Sequence, residues 1–378
     1  MKKSGKQIKW YEWKEIGVRS PLVRSFDKSI GCRIGLAITI SYFAILIVNR
    51  VEHWTQGKVI CPPQMEIHRC LTKELLSIIA VSNIEGFGIL SAAMLYILES
   101  KERRQKAIYE AWQVLDNAAA AGVPSSPARY KAIEDLNNYQ VSFEGLYIPG
   151  ADLKSINLEN ANLAKANLSK SILSRANLSN ANLNRAQLQG INLSGANLQG
   201  ADLRGANLQG ADLRGANFQE TDLRGATLED TDCKGATFRE AQLAGANLEK
   251  GNFWRADFSK ADLREARLSN AQLKETHFEQ SSLIGADLRN ADFEGAFLAK
   301  AKLRSAKLAG ANLKEVNLKE ADLQNACLIR ANLKDANLQD ANLRGADLRY
   351  AIKLELSQLQ SAHNYTQIDY DPKLNELE

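Results

Sequence analysis

The sequence predicts an all-β tubular solenoid preceded by a pair of membrane-spanning helices. Three observations predict it. An apolar residue recurs at every fifth position over 143–348, from Phe143, Ile148, Leu153, Leu158 and Leu163 to Leu338, Leu343 and Leu348. A small residue, most often Ala (Ala151, Ala161, Ala166, Ala176, Ala181), stands two places before it, with Asp or Asn usually between. Two long apolar runs, 30–48 and 75–98, come before the repeat.

A period of five fits neither common element. On an α-helix five residues advance by roughly 140° net, so the Leu positions spiral around the axis and form no face. In a flat strand an odd period sends successive Leu side chains to opposite sides. A chain that turns a corner every five residues buries the pattern, because each unit then makes one short wall of a tube. Leu and the Ala two before it point inward. Asp or Asn and the last two residues face out or form the corner. Gly at the last position (Gly195, Gly200, Gly205, Gly210, Gly215) suits a tight turn.

The unit A-(D/N)-L-x-x, as in Ala201-Asp202-Leu203-Arg204-Gly205, resembles the pentapeptide-repeat family. That resemblance implies a right-handed quadrilateral β-helix with four units per coil. A twenty-residue coil agrees with two rows in the sequence. Phe218, Phe238, Phe258 and Phe278 replace Leu at twenty-residue steps and are expected to stack in one interior column. Arg204, Arg224, Arg264, Arg304 and Arg344 follow the Leu of another column, with Ala244 and Ile284 interrupting them. At strand spacing of about 4.8 Å, roughly ten coils give a rod on the order of 50 Å long. Each coil buries its core only against its neighbours, so both ends need caps.

The segments are expected in this order. Residues 1–29 are basic, with Trp10, Tyr11 and Trp13 interleaved, and read either as a flexible cytoplasmic tail or as a segment lying on anionic headgroups. The run 30–48 carries one charge, Arg33, near its start, and Asn49-Arg50-Val51-Glu52 offers no small-x-small cleavage site. It reads as a retained anchor, with Arg33 reaching the near interface. The run 75–98 is a second span, broken by Asn83 and Glu85. Lys101, Arg103, Arg104 and Lys106 follow it, so basic segments flank a hairpin over 30–98 and both termini face the cytoplasm.

Glu85 near mid-membrane is a site hypothesis. It reads as a protonated acid bonded to Ser41 or Tyr42, as a contact to another subunit, or as part of an ion pathway. The loop 49–74 holds His53, Cys61, His68 and Cys70. A Cys61–Cys70 disulfide, free thiols or a metal site all fit, although the spacing is no standard ligand pattern.

Residues 99–140 form a helical linker and N-terminal cap: an amphipathic helix over 99–121, a turn-rich linker over 122–127 and a short helix over 128–138 with Tyr130, Ile133 and Leu136 on one face. The stretch 132–138 resembles a lead-in common in cyanobacterial pentapeptide-repeat proteins. The β-helix occupies 141–351. Lys353 then stands where Leu is due, and 352–378 reads as a C-terminal cap with a helix over 354–362. The tail 364–372 resembles the usual ending of such proteins.

Net charge is +4 over 378 residues. The solenoid carries 27 Lys/Arg against 26 Asp/Glu, whereas residues 1–140 carry 19 against 13, so the positive excess lies ahead of the rod. The sequence has no phosphate-cradling Gly-rich loop, no G-x-S-x-G, no H-E-x-x-H and no C-x-x-C. A tube filled with Leu and Ala has no concave site. Neither catalysis nor a cofactor is expected. Some family members mimic DNA and bind DNA gyrase; that role needs a strongly acidic surface, which a neutral rod lacks. Asp202, Asp222 and Asp262 beside the Arg row balance its charge locally, which disfavours nucleic acid.

A few outward positions break the polar rule. Trp254 and Phe297 fall near one corner, two coils or about 10 Å apart. Ile284, Ile329 and Tyr350 are also outward. With the Arg row, Trp254, Phe297 and Ile284 are the candidate partner contacts. The expected function is a membrane-anchored, non-catalytic scaffold or assembly factor that binds a protein complex in or at a thylakoid or plasma membrane. The alternatives are a regulator of a soluble partner and an accessory subunit of a transport or sensing complex using Glu85 and the Cys loop.

Overall fold

The structure, a computed structural model, describes residues 30–55, 81–120, 125–365 and 368. Four helices are present among them: α1 (Ile30–Thr55), α2 (Val81–Ala120), α3 (Pro127–Asn138) and α4 (Leu356–Gln360). The chain divides into two compact units, Met1–Ala107 and Ile108–Glu378.

In the first unit, Arg33 of α1 is buried and pairs with the Glu102 carboxylate of α2, whereas the sequence placed it at a membrane interface. Arg103 lies 3.9 Å from the centre of the Tyr96 ring. Among the described residues no helix is long and apolar enough to cross a membrane. The described residues therefore do not show the expected two-span hairpin. A span needs about 20 apolar residues. The described side chains of the first run cover only 33–48. Those of the second begin at 88 and meet the charged stretch 99–106. The helix itself does not stop there: α2 continues as one element of 40 residues. The tail 1–29, Cys61, His68, Cys70 and the start of the second run fall outside the described residues, and Asn83 and Glu85 lie in α2 at positions whose side chains are not described.

The second unit is the solenoid. Its walls pair in parallel with the wall twenty residues on, from Tyr147 with Asn167 to Asn332 with Ile352. Four five-residue walls therefore complete one coil. Three bonds per wall run between coils, as around Leu163: Leu163 N–H donates to Asn182 O at 2.7 Å, Lys165 N–H to Asn184 O at 2.8 Å, and Asn167 N–H back to Leu146 O at 2.7 Å. A fourth closes the corner, Ala166 N–H to Leu163 O at 3.0 Å. Backbone amides buried in a tube need such partners, and stacking supplies them at every wall.

Every corner from Gln140 to Tyr350 places its last residue at positive φ. Gly fills some of these corners, but Lys, Arg, Glu, Asp, Asn, Gln and Ser fill most, at φ between +53 and +61° within the walls. A left-handed residue with a side chain costs about 1–2 kcal/mol. The cross-coil bond from its own N–H offsets that cost.

The interior is Leu and Ala, fully buried throughout. Phe218, Phe238, Phe258 and Phe278 stack face to face at centroid distances of 4.8, 4.6 and 5.0 Å with planes within 4°. Phe253, on the neighbouring wall, meets Phe238 and Phe258 edge-on at 6.2 and 5.5 Å. Its ring fits because the small position before it is Gly251, where an added Cβ would stand 2.5 Å from the ring. Hydroxyls at small positions are satisfied: Thr221 Oγ1 donates to Leu198 O at 2.9 Å and Thr276 Oγ1 to Phe253 O at 3.0 Å.

Helices close both ends. Ile133 and Leu136 of α3 and Leu115 of α2 are buried on the first coil, with Trp112 edge-on to Phe143 at 6.2 Å. Asn137 Nδ2 reaches Glu159 O at 3.2 Å, a carbonyl that a preceding coil would otherwise bond. At the far end Leu359 of α4 is buried, and Gln358 Nε2 donates to Leu333 O at 2.9 Å and Ala336 O at 2.8 Å. Side-chain amides thus replace the missing coil at each end. The C-terminal helix is shorter than the expected 354–362, because the chain between Ile352 and Glu355 is still closing the last wall, with Lys353 at φ +55°.

Two glycine substitutions separate the two constraints. At Gly215, where φ is +62° and no atom lies near an added Cβ, Ala is expected to cost about 1 kcal/mol from backbone strain alone. At Gly251 the strain is steric, and Ala is expected to cost about 1–3 kcal/mol. Chemical denaturation of both variants checks this; equal stability of Gly251→Ala and the parent would sink the packing account.

Candidate interaction surface

The Asp or Asn of each unit has a structural task. Its Oδ1 accepts the N–H two residues on, the one amide that the ladders leave over. Asp202 takes Arg204 N–H at 3.0 Å, Asn207 takes Gln209 N–H at 3.0 Å and Asn192 takes Ser194 N–H at 3.0 Å. These Asx turns explain why the position favours two short side chains with a carbonyl-type oxygen. Neighbouring Asn side chains also bond from coil to coil, as Asn217 Nδ2 to Asn197 Oδ1 at 3.0 Å.

Where Arg follows Asp, the two side chains lock together. Arg204 Nε donates to Asp202 Oδ1 at 2.9 Å and Nη2 to Oδ2 at 2.6 Å. The same fork joins Arg214 to Asp212, Arg224 to Asp222, Arg264 to Asp262, Arg289 to Asp287 and Arg349 to Asp347. The Arg hydrogen bonds hold Asp202, Asp212, Asp262, Asp287 and Asp347 below the usual carboxylate range, against the opposing effect of partial burial. In the predicted Arg row, Arg204, Arg224 and Arg264 are clamped in this way. Arg304 instead follows Lys302, and its Nε lies 4.0 Å from Asp322. Arg344 follows Asn342, which accepts its backbone N–H at 3.3 Å. Gln324 interrupts the row in addition to Ala244 and Ile284.

Trp254 and Phe297 are each 38% exposed. Each packs on a different neighbour. Trp254 Nε1 points to Glu275 Oε1 at 3.4 Å, and Arg255 lies over its ring at 4.4 Å while bonding Glu275 Oε2 at 2.7 Å. Phe297 stacks on His277 at 4.6 Å with planes 11° apart. Ile284 and Ile329 are half-buried, and Tyr350 is exposed. Nearby, Lys274 and Lys314 bracket Glu294 at 2.9 and 2.7 Å and hold its carboxyl down at about 2.

One signal in the sequence went unread. In the nine units whose second residues run from Arg267 to Lys307, only Asp287 and Asp292 keep Asp or Asn. The others are Arg267, Gln272, His277, Ser282, Phe297, Lys302 and Lys307. The structural task of the position is given up across this stretch, and its outward side chains are released for something else.

Little elsewhere resembles a site. A shallow, open groove runs past Glu144, Lys165, Asn184, Arg185 and Asp202, with polar walls. Cys233 is buried in a core position, which pushes its thiol up to about 12; Cys327 is a half-exposed free thiol. Among the described residues no group of three His, Cys, Asp or Glu side chains could hold a metal ion.

Comparison with known families decides the assignment. The model of pentapeptide repeats matches in eight copies, at residues 151–190, 181–219, 206–241, 216–255, 241–280, 281–319, 298–335 and 317–352. The chain belongs to the pentapeptide-repeat family. Its solenoid is therefore the right-handed quadrilateral β-helix of that family. Among solved pentapeptide-repeat structures it is similar to HetL, a protein involved in heterocyst differentiation regulation from the cyanobacterium Nostoc sp. strain PCC 7120. That match has 34% identity, covers 53% of this chain and 89% of HetL, and has a TM-score of 0.40. A pentapeptide-repeat protein of the Arabidopsis thaliana thylakoid lumen matches at 30% identity over 28% of this chain and 68% of its own, with a TM-score of 0.24. QnrB1, a plasmid-mediated fluoroquinolone resistance protein, matches at 15% identity over 50% of this chain and 96% of its own, with a TM-score of 0.34. No curated protein matches the chain.

Asp202, Asp212, Asp262, Asp287 and Asp347, held low by their Arg partners, shape the response of this pentapeptide-repeat rod to acid. Their folded pKa values lie below the unfolded ones, so the stabilisation is complete above about pH 4–5 and is lost as pH falls through the folded values. The melting temperature is expected to stay level from pH 8 to 5 and to drop between pH 4 and 2. A melting temperature that holds to pH 2 would show that the Asp–Arg forks contribute nothing.

Proposed function

We propose that this pentapeptide-repeat protein is a non-catalytic scaffold whose rod binds a protein partner and whose helices α1 and α2 attach it to a membrane. The family supports the binding half of the reading. The membrane half rests on one observation in the first unit. Several of its large apolar side chains are exposed, Phe43, Ile47 and Ile89 at 58, 64 and 71%, while Arg33 and Ser41 are 5 and 1% exposed; Ala37 and Ile45 are buried as well. Water disfavours that arrangement, and a hydrocarbon surrounding favours it. The full apolar runs 30–48 and 75–98 extend beyond the residues with described side chains and supply the length that a span needs. Basic residues flank the runs on both sides, which supports a reading with the rod and both termini on the cytoplasmic side; a thylakoid or plasma membrane belongs to the same proposal.

The partner in this reading is a membrane protein complex. Trp254 and Phe297 are its anchors, because large rings that remain in part exposed on a polar rod offer the area from which binding hot spots are made.

Two measurements test the two halves. The full chain is expected to float with phosphatidylcholine–phosphatidylglycerol vesicles and to resist carbonate extraction. With Phe43→Asp, Ile47→Asp and Ile89→Asp together it is expected to stay at the bottom of the gradient, since each Asp costs roughly 2.5–3.5 kcal/mol in a bilayer centre. A parent chain that does not float ends the membrane reading. Purification from membranes in mild detergent is expected to yield a stoichiometric complex that is lost with Trp254→Ala and Phe297→Ala; retention of the complex in that variant moves the contact away from the two rings.

A further inference from the structure

We infer that the rod has a dedicated docking patch for an acidic segment of a protein partner, formed by Lys302, Arg304 and Lys307 around Ile284. The inference rests on the reading of the rod as a protein-binding scaffold and names where and what it binds.

Lys302 and Lys307 occupy positions that the fold assigns to Asp or Asn. A lysine has no acceptor, so the N–H groups of Arg304 and Ala309 lose the Asx bond that their counterparts at Arg204 and Gln209 make. Stability alone would place Asn at both positions. Neither ammonium has a carboxylate within ion-pair distance, and Arg304 reaches Asp322 only at 4.0 Å. The clamped arginines differ: Arg204, Arg224 and Arg264 each bond an Asp at 2.6 Å. The chain over 295–314 contains Lys300, Lys302, Arg304, Lys307 and Lys314 and no Asp or Glu. Of these, Lys300 is engaged by Glu320 at 3.5 Å and Lys314 by Glu294 at 2.7 Å. The least compensated charge is therefore on Lys302, Arg304 and Lys307, which have only Asp322 at 4.0 Å from Arg304 and the Arg289-clamped Asp287 near Lys307.

The three lie on two adjacent walls and the corner between them, so they share one edge of the rod. Ile284 stands one coil before Arg304 in the same corner row, about 4.8 Å away along the axis. It is half-buried and gives the patch an apolar centre. The patch is short. Asp322 bounds it one coil beyond Lys302, and Asp287 one coil before Lys307. A nucleic-acid backbone or a lipid surface needs a basic stripe longer than this, and these carboxylates would repel phosphates on either side. A peptide segment with a few carboxylates and one apolar side chain matches the charge, the length and the apolar centre.

The test uses the full chain in mild detergent and a short fluorescein-labelled peptide, Glu-Glu-Leu-Glu-Glu, read by anisotropy. Binding that weakens with salt is expected, and it should fall at least tenfold in Lys302→Asn/Lys307→Asn. The same variant is expected to melt at a higher temperature than the parent, because it restores the acceptors for Arg304 and Ala309. A loss of binding together with a gain in stability separates a binding role from a structural one. A control with Lys165→Asn/Arg185→Asn should bind the peptide as the parent does. No binding by the parent, or equal binding by the parent and Lys302→Asn/Lys307→Asn, overturns the patch. Tighter binding of a 20-nucleotide single-stranded DNA or of phosphatidylglycerol vesicles than of the peptide, lost in the same variant, overturns the assignment to a protein segment. None of these results bears on the membrane complex captured through Trp254 and Phe297, so the patch can fail while the scaffold reading stands.

Discussion

The cross-coil hydrogen bond at the corner governs the rest of the rod. Each corner residue sits at positive φ and passes its N–H to the coil ahead, as Gly215 does to Lys234 O at 2.9 Å. The left-handed turn closes a wall after five residues, and the bond fixes the stagger between coils. Once both are set, the Leu and Ala columns have no alternative to the interior, and identical side chains must stack twenty residues apart. The parallel Phe rings follow from this stagger rather than cause it. The same constraint explains the caps. Carbonyls that face outward along the axis at the end coils lack a neighbouring coil, and Asn137 and Gln358 each bring an amide to a place where a further coil would have brought a backbone N–H.

Position two of the unit is where fold and function compete. Asp and Asn serve the fold there by closing an Asx turn, and Asp adds a fork with Arg two residues on. The fork also neutralises the rod, since each pair hides a positive group that would otherwise face a partner. A rod made only of consensus units therefore presents a self-satisfied polar surface with little to recognise. Recognition requires departures, and these come at a loss of one backbone hydrogen bond each, about 0.5–1.5 kcal/mol by ordinary estimates. His277, Phe297, Lys302 and Lys307 are such departures.

The solenoid was legible because its period belongs to no other element. Five residues per apolar position exclude a helix and a flat strand, and the twenty-residue recurrence of Phe218 to Phe278 agrees with the four walls per coil that the family resemblance implies. The interior small positions were equally plain. The pairing of Arg33 with Glu102 was not, because a charge near the end of an apolar run reads as an interface residue until the neighbouring helix is placed. The Arg row was legible as a row but not as a set of clamped and loose members. That distinction depends on whether Asp or Lys stands two residues earlier and on the rotamer that the fork imposes. The Asx-poor stretch was visible in the letters, yet its meaning required knowing which amide each Asp or Asn satisfies.

The location of that stretch has a physical reason. In a solenoid, stability is close to a sum over coils and their contacts with the next coil. A coil at either end has one neighbour and depends on a capping helix; a coil within the rod has two. Units that give up an Asx bond are thus best tolerated where consensus walls lie on both sides, and 267–307 is so placed, between Asp262 and the Asn312–Asn317 walls. There the Phe258–Phe278 stack and Phe293 also add ring contacts inside the same coils, at 5.0 and 5.9 Å. The interior rings of Phe278 and Phe293 lie beneath this part of the surface. That arrangement offsets the weakened outer hydrogen bonding with interior contact, and it keeps the departing side chains on a rigid base.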